Sequence, residues 1–124
     1  MVNETVLTPT PRALAAAIQR IAAVAQPTRI IAFGSRARGD HQKDSDVDLL
    51  VVLPRGSSAG NLSADLHQAV GVTGFSKDII VSEEGFLERC ASSPNSAQAE
   101  ALRQGLVLYE NGRTHHSAIE KICR

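Results

Sequence analysis

The chain contains 124 residues, which is the length of one domain. Its 13 basic and 13 acidic residues give a formal net charge of zero, which excludes the strong overall field that draws proteins to nucleic acids or membrane surfaces. Aromatic residues make up only 3% and tryptophan is absent, so a ladder of base-stacking rings is also excluded. We therefore expect no direct binding to nucleic acid or to a membrane.

Cysteine usage and the N-terminal segment bear on the cellular compartment. Cys90 and Cys123 have neither metal-ligand spacing nor the density of a disulfide scaffold, which indicates a reducing environment. The start of the chain lacks a basic segment followed by an apolar core, and no apolar run approaches the ~20 residues of a membrane span. These features predict a soluble, cytoplasmic protein.

The N-terminal part of the chain predicts a helix followed by a short strand. Residues 1–9 predict a flexible leader, after which the Thr10 hydroxyl and a proline at the next position form a typical helix start. Apolar residues then recur at helical spacing. Arg29–Phe33 (RIIAF) is β-branched and apolar, which predicts a buried strand. Ser35–Arg38 predicts a short helix directly after it.

Strands and helices continue to alternate through the rest of the chain. Asp46–Leu53 (DVDLLVVL) is the strongest strand, because it is almost continuously apolar after its first three residues. The alternation predicts an α/β layered fold with one domain over residues 10–110, followed by a tail or short helix over residues 111–124. The other predicted elements are helix Leu62–Val70, strand Lys77–Val81, a helix capped by Ser82–Glu84 that runs to Ala91, helix Ala97–Gln104 and strand Leu106–Tyr109.

Two aspartates at the start of the strongest strand form the first half of a candidate site. Asp46 and Asp48 are two positions apart, so on a strand their side chains share one face with Cα atoms roughly 6–7 Å apart. Two such carboxylates repel each other unless a cation lies between them, and Mg²⁺ prefers oxygen ligands of this kind. The alternative is that both aspartates mark a solvated strand start. The apolar run that follows favours the metal site, because an unpaired carboxylate is costly beside a buried strand.

A glycine-serine pair forms the second half of the candidate site. Gly34 follows a predicted strand and allows the backbone to approach a phosphate closely, and the Ser35 hydroxyl adds a hydrogen bond. Arg36 and Arg38 supply positive charge suited to a triphosphate. The alternatives are an ordinary turn and two solvated loop arginines.

The combination of the two halves resembles the signature of the minimal nucleotidyltransferases of the DNA polymerase beta superfamily. Gly34-Ser35 is followed by ten residues and then by Asp46-Val47-Asp48. The flanking residues Ala37-Arg38-Gly39, Ser45 and Leu49-Leu50-Val51 also fit, and the similarity covers about Pro27 to Glu110. The resemblance implies the nucleotidyltransferase fold, with a mixed β-sheet flanked by helices, a triphosphate and two Mg²⁺ ions.

The resemblance also implies roles for individual residues. The turn at Gly34 and Ser35 would bind the nucleotide phosphates, and three carboxylates would hold the metals and catalyse transfer. Asp46 and Asp48 match the first two carboxylates, and Asp78 on a later strand is the best match for the third. In this family a hydroxyl of the acceptor attacks the α-phosphorus of a nucleoside triphosphate, and a residue at the position of Asp78 helps to deprotonate that hydroxyl. The rivals for the third carboxylate are placed on a helix or in a loop: Asp65, Asp40 and Asp44.

The acceptor is expected to be held by a partner or to be the partner itself, because only fifteen residues follow Tyr109 and relatives that act on antibiotics, tRNA ends or oligonucleotides carry an added domain. Minimal nucleotidyltransferases of this length resemble antitoxins whose partner is a helical HEPN ribonuclease toxin. The ten-residue spacing is similar to that of members that transfer AMP from ATP to a toxin tyrosine. Two alternatives stay open: a non-catalytic antitoxin that neutralises its toxin by binding, and a subunit of a small-molecule nucleotidyltransferase of the aminoglycoside type.

Overall fold

The computed structural model describes residues 8–124, and within this range the chain forms six helices and five strands. The helices are α1 (Pro11–Ala25), α2 (Ser35–Arg38), α3 (Leu62–Val70), α4 (Glu84–Cys90), α5 (Ala97–Gln104) and α6 (His116–Ile122). The strands are β1 (Arg29–Phe33), β2 (Val47–Leu53), β3 (Lys77–Glu83), β4 (Leu106–Glu110) and β5 (Arg113–Thr114).

The five strands form one mixed sheet in the order β3-β2-β1-β4-β5. Strand β2 runs parallel to β3, and the pairs β1-β2, β1-β4 and β4-β5 are antiparallel. The parallel connection passes through α3, in keeping with the need for a crossover between parallel strands. The predicted mixed sheet flanked by helices is therefore confirmed.

Both faces of the sheet are covered, and alternate residues of β1 and β2 point to opposite faces. One face packs against α1, α3 and α6, and the other packs against α4 and α5. The first face holds the larger core, with these β1 and β2 residues: Ile30, Ala32, Val47, Leu49, Val51 and Leu53. The second face holds a smaller core with Ile31, Phe33, Leu50 and Val52 from the same strands.

Most predicted boundaries agree with the structure to within two residues. Helix α1 begins as predicted, since the Thr10 hydroxyl accepts a hydrogen bond from the Ala13 amide at 3.1 Å. Three strand boundaries differ, of which one is the end of β4, at Glu110 instead of Tyr109. Strand β2 begins at Val47, one residue later than predicted, and β3 extends to Glu83 because the cap of α4 is Glu83 itself, whose carboxylate accepts from the Phe86 amide.

The segment after residue 110 contains both a short strand and a short helix. Strand β5 pairs with β4, and α6 places Ile119 and Ile122 in the same core as α1. This burial makes α6 part of the packed structure. The predicted leader lies mostly outside the described residues, but the Thr8 hydroxyl donates to the Lys43 carbonyl oxygen at 3.1 Å.

None of the helices between residues 8 and 124 combines the length and the hydropathy that a bilayer crossing requires.

Candidate functional site

The two halves of the sequence motif meet at one edge of the sheet. Strands β2 and β3 start at this edge, and β1 ends there because it runs antiparallel to β2. In the register of the sheet, Asp48 pairs with Asp78 on one side and with Phe33 on the other. Gly34 and Ser35 follow Phe33 directly, so the turn lies at the same edge as the carboxylates.

Asp48 and Asp78 are direct neighbours on adjacent parallel strands, and residues in register share a face. Asp48 points to the face covered by α4 and α5, because Leu50 and Val52 of the same strand pack there. Asp48 is half-buried and Asp78 is exposed. The structure thus places two of the three predicted carboxylates side by side.

Asp46 lies just before β2 and is exposed. It is close enough to Asp48 to raise the pKa of that carboxyl. Within residues 8–124, however, no three His, Cys, Asp or Glu side chains converge closely enough to hold a metal ion as they stand. The three predicted aspartates therefore lie at the same edge, where Asp46 and Asp78 face solvent and both raise the pKa of Asp48.

The pKa of Asp48 is raised to about 6, mainly because burial disfavours its charged form. The negative charges of Asp78, Asp46 and Glu100 raise it further, in that order, while the guanidinium of Arg38 acts in the opposite direction. A cation bound beside a carboxylate in this environment stabilises its ionised form. The electrostatics of the edge therefore favour a cation.

Gly34 contacts the carboxylate of Asp48 and has to be glycine for two reasons. Its backbone angles, φ +81° and ψ −160°, fall in a region that is essentially restricted to glycine. A Cβ at this position would lie 3.2 Å from Cγ of Asp48 and would collide with its Oδ2. The backbone at Gly34 therefore packs directly against the Asp48 carboxylate.

Ser35 is the first residue of α2 and is partly exposed. Its carbonyl oxygen accepts hydrogen bonds from the Gly39 and Asp40 amides at 2.8 and 3.2 Å, which close the short helix. Among the described residues its hydroxyl has no hydrogen-bond partner. The hydroxyl is thus available to a ligand at this edge.

The two predicted phosphate-binding arginines occupy different environments. Arg38 is about one-third exposed and forms ion pairs with Glu100 at 2.7 Å and Asp40 at 3.3 Å. Arg36 is only 3% exposed, and its guanidinium donates to carbonyl oxygens of the loop at residues 39–45. Arg38 borders the carboxylates, whereas Arg36 is directed into the loop.

The site includes Glu100, a residue that the sequence analysis did not identify. It lies in the first turn of α5, pairs with Arg38 and contributes to the raised pKa of Asp48. No motif links position 100 to the aspartates, because α5 reaches the edge only through the packing of the second sheet face. The sequence of α5 does not single out Glu100, because the helix also carries the charged Arg103.

The chemistry of the donor groups at this edge suits a magnesium–triphosphate ligand. Carboxylate oxygens are the ligands that Mg²⁺ prefers, and it commonly shares them with substrate phosphates. The absence of a side chain at Gly34 leaves the backbone open for close approach of a phosphate. The donor set of Asp46, Asp48 and Asp78 consists of hard oxygens only, so it suits Mg²⁺ better than softer metals.

A mixed sheet with a Gly-Ser turn held against paired carboxylates at one edge defines a nucleotidyltransferase fold. The nucleotidyltransferase domain family matches residues 14–104, and the chain belongs to this family. It is therefore an enzyme of the nucleotidyltransferase class. Comparison with curated proteins gave no match.

Two solved structures are similar to this chain. One is a candidate nucleotidyltransferase from Sulfolobus solfataricus, with 19% identity, a TM-score of 0.59, and coverage of 84% of this chain and 83% of the other. The second is a toxin-antitoxin structure with AMP-PNP, with 17% identity, a TM-score of 0.47, and coverage of 87% and 80%. The first similarity supports the fold, and the second is too weak to carry an argument.

Proposed function

We propose that this protein is a Mg²⁺-dependent adenylyltransferase and antitoxin that transfers AMP from ATP to a hydroxyl, in particular a tyrosine hydroxyl, of a HEPN ribonuclease toxin. The observation that carries the chemical part of the proposal is the contact of Gly34 with Asp48 beside Asp78. The ten-residue spacing of the motif supports the choice of AMP and of a toxin acceptor through its resemblance to the minimal nucleotidyltransferases. The cytoplasm is the proposed compartment.

In this proposal the residues of the edge divide the work among them. Asp46, Asp48 and Asp78 would hold two Mg²⁺ ions, and these ions would supply activation of the attacking oxygen and stabilisation of the leaving pyrophosphate. The backbone at Gly34 and the Ser35 hydroxyl bind the phosphates. Asp78 accepts the proton of the acceptor hydroxyl at its exposed carboxylate.

Arg38 is the proposed cationic contact for the triphosphate. Its guanidinium is partly exposed, and its positive charge acts to lower the pKa of the neighbouring Asp48. An arginine matches phosphate oxygens through paired N–H donors. Since Glu100 holds this guanidinium at 2.7 Å, the side chain is oriented before nucleotide binds.

The exposure of the edge is compatible with a macromolecular acceptor. Asp46 and Asp78 are both exposed, so these two carboxylates are accessible from solvent. A tyrosine presented on the surface of a folded partner could reach this position without entering a closed cavity. This favours a protein hydroxyl over an acceptor that must be enclosed.

The decisive experiment incubates the purified protein with a HEPN toxin, Mg²⁺ and ATP. Each transferred AMP should add ~329 Da to the toxin by metal-assisted nucleotidyl transfer. EDTA should prevent the addition, because clustered carboxylates do not bind a triphosphate without cations to cancel the repulsion. The matched control is the Asp48→Asn variant, which should leave the toxin mass unchanged.

Separation of the two proteins distinguishes modification from occlusion. A modified toxin should stay inactive after this protein is removed. A toxin that is inhibited in the mixture, keeps its original mass and recovers full activity on separation would contradict the proposal in favour of a binding antitoxin. Transfer of AMP to an aminoglycoside in the presence of a second subunit, with no transfer to the toxin, would instead support the hypothesis of a small-molecule nucleotidyltransferase subunit.

A further inference from the structure

Arg36 is the one charged residue in the described part of the chain whose side chain is almost fully buried. Its Nε donates to the Ser45 carbonyl oxygen at 3.0 Å, and its Nη2 donates to those of Lys43 at 2.9 Å and Gln42 at 3.4 Å. None of the ion pairs within residues 8–124 involves it. A buried charge is costly unless its donors are satisfied, and here backbone carbonyls satisfy them.

These carbonyls belong to the last residues before Asp46. Arg36 itself lies two residues after Gly34, on α2. Its guanidinium therefore bridges the two halves of the motif, from the turn that contacts Asp48 to the loop that leads into Asp46.

The loop at residues 39–45 contains neither helix nor strand, so its shape depends on such contacts. Two further contacts hold its outer side: the Thr8 hydroxyl bonds the Lys43 carbonyl oxygen, and Nε2 of His41 lies 2.9 Å from the Arg124 carbonyl oxygen. Both of these involve one hydrogen bond each, whereas Arg36 makes three. Within the loop, the Gln42 amide also donates to the Ser45 hydroxyl at 2.8 Å. Among the described residues outside the loop, Arg36 makes the most hydrogen bonds to it.

We propose that Arg36 is a positioning residue that holds the loop at residues 39–45 so that Asp46 stays beside Asp48 in the metal site. The metal part of this inference rests on the proposed function. Arg36 is only 3% exposed, and direct binding of phosphate would require its guanidinium to leave three carbonyl oxygens. Arg38 is more exposed and already borders the carboxylates, so of these two arginines only Arg38 is assigned to phosphate binding.

The first test compares Arg36→Met and Arg36→Lys with Arg20→Met. Arg20 also donates to a backbone carbonyl oxygen, that of Val70 at 3.1 Å, but far from the motif, so its variant controls for the loss of a structural arginine. Loss of residues that orient metal ligands typically reduces metal affinity 10–100-fold, so the Mg²⁺ concentration for half-maximal binding of ATP should rise about tenfold or more in Arg36→Met. The rise should be smaller in Arg36→Lys and absent in Arg20→Met.

Binding is measured by titration calorimetry on the full chain, with Mg²⁺ varied at fixed ATP and ATP varied at saturating Mg²⁺. Arg36→Met should recover ATP affinity close to that of the wild type once Mg²⁺ is saturating. Arg38→Met should lose ATP affinity at every Mg²⁺ concentration. If Arg36→Met behaves like Arg38→Met, or if its Mg²⁺ dependence equals that of the wild type, the inference is wrong.

Limited trypsin digestion tests the loop without any ligand or acceptor. The Lys43–Asp44 bond should resist cleavage in the folded wild-type protein and in Arg20→Met, and should be cut in both Arg36 variants at urea concentrations that leave them folded. Rapid cleavage at this bond in the native wild-type protein would overturn the inference even if neither Arg36 variant folds. Absence of toxin modification by the wild-type protein, with intact Mg²⁺ and ATP binding, would instead count against the proposed acceptor and leave the role of Arg36 unaffected.

Discussion

Replacement of Asp48 by asparagine should remove activity and raise stability in the metal-free protein. Burial and neighbouring carboxylates raise the pKa of Asp48 from 3.8 to about 6. A raised pKa in an acid means that folding favours its neutral form, so the related stability is present below pH 4 and is lost as the pH rises through 6. Above pH 6 the folded state bears the cost of an ionised carboxylate that asparagine does not carry.

The size of the effect follows from this difference in pKa. A pKa raised from 3.8 to about 6 corresponds to about 3 kcal/mol at a pH above both values. Because Asp48 is only half-buried, solvent screening reduces this to about 1–2 kcal/mol. For a chain of this length, such a gain raises the Tm by about 4–8 °C.

Thermal unfolding in EDTA between pH 4 and pH 8 measures the effect. Asp48→Asn should exceed the wild type at pH 8 and converge with it near pH 4, whereas Asp65→Asn, an exposed carboxylate on α3, should show no gain. Asp78→Asn should lose transfer as well, with a smaller gain because its carboxylate is exposed.

Ligand binding should reverse the order of stability. Mg²⁺ with ATP stabilises only a protein that binds it, so the wild type should gain Tm and Asp48→Asn should not. A loss of stability in Asp48→Asn at pH 8, or a difference from the wild type that does not vary with pH, would refute this reasoning and indicate a structural role for the carboxylate.

The other predictions concern packing and the environment of the site. Gly34→Ala should lower the free energy of unfolding in urea by about 2 kcal/mol or more and abolish transfer. Gly39 also has a positive φ but open space around it, so Gly39→Ala should lower this free energy by only about 1 kcal/mol. Equal effects of the two substitutions would contradict the contact of Gly34 with Asp48. Glu100→Gln should lower the pKa of Asp48, as followed by the carboxyl carbon signal in NMR, and an unchanged titration would exclude Glu100 from the site. Ile119→Ala should cost about 2–5 kcal/mol if α6 is part of the core, and a loss below about 1 kcal/mol would show that it is not.

The sequence predicted the regular elements and the family because both depend on local patterns. The runs RIIAF and LLVV are almost continuously apolar, as is typical of strands covered on both faces. Thr10 and Gly105 mark helix ends. The pairing of Asp48 with Asp78 was inferred through the family resemblance, and the sheet register places the two residues together.

Features that depend on tertiary contacts could not be predicted in this way. A two-residue strand such as β5 has no periodic signal, and the burial of Ile119 depends on the position of α1. The direction of the Arg36 side chain is set by the loop that folds over it, so the sequence showed a positive charge without showing its partners. Glu100 reaches the edge from a helix that is remote in sequence.

The pairing of β2 with β3 fixes the positions of the carboxylates, so a label can be attached at the opposite end of these strands. Seven residue pairs, from Val47 with Lys77 to Leu53 with Glu83, set the separation of Asp48 from Asp78, and a slip by one residue would turn one carboxylate to the opposite face. The connection from β2 to α3 leaves the sheet at the edge opposite the carboxylates, and Ser58 within it is exposed. A fluorescent label or a short peptide insertion at Ser58 would therefore report on partner association while the carboxylates keep their spacing.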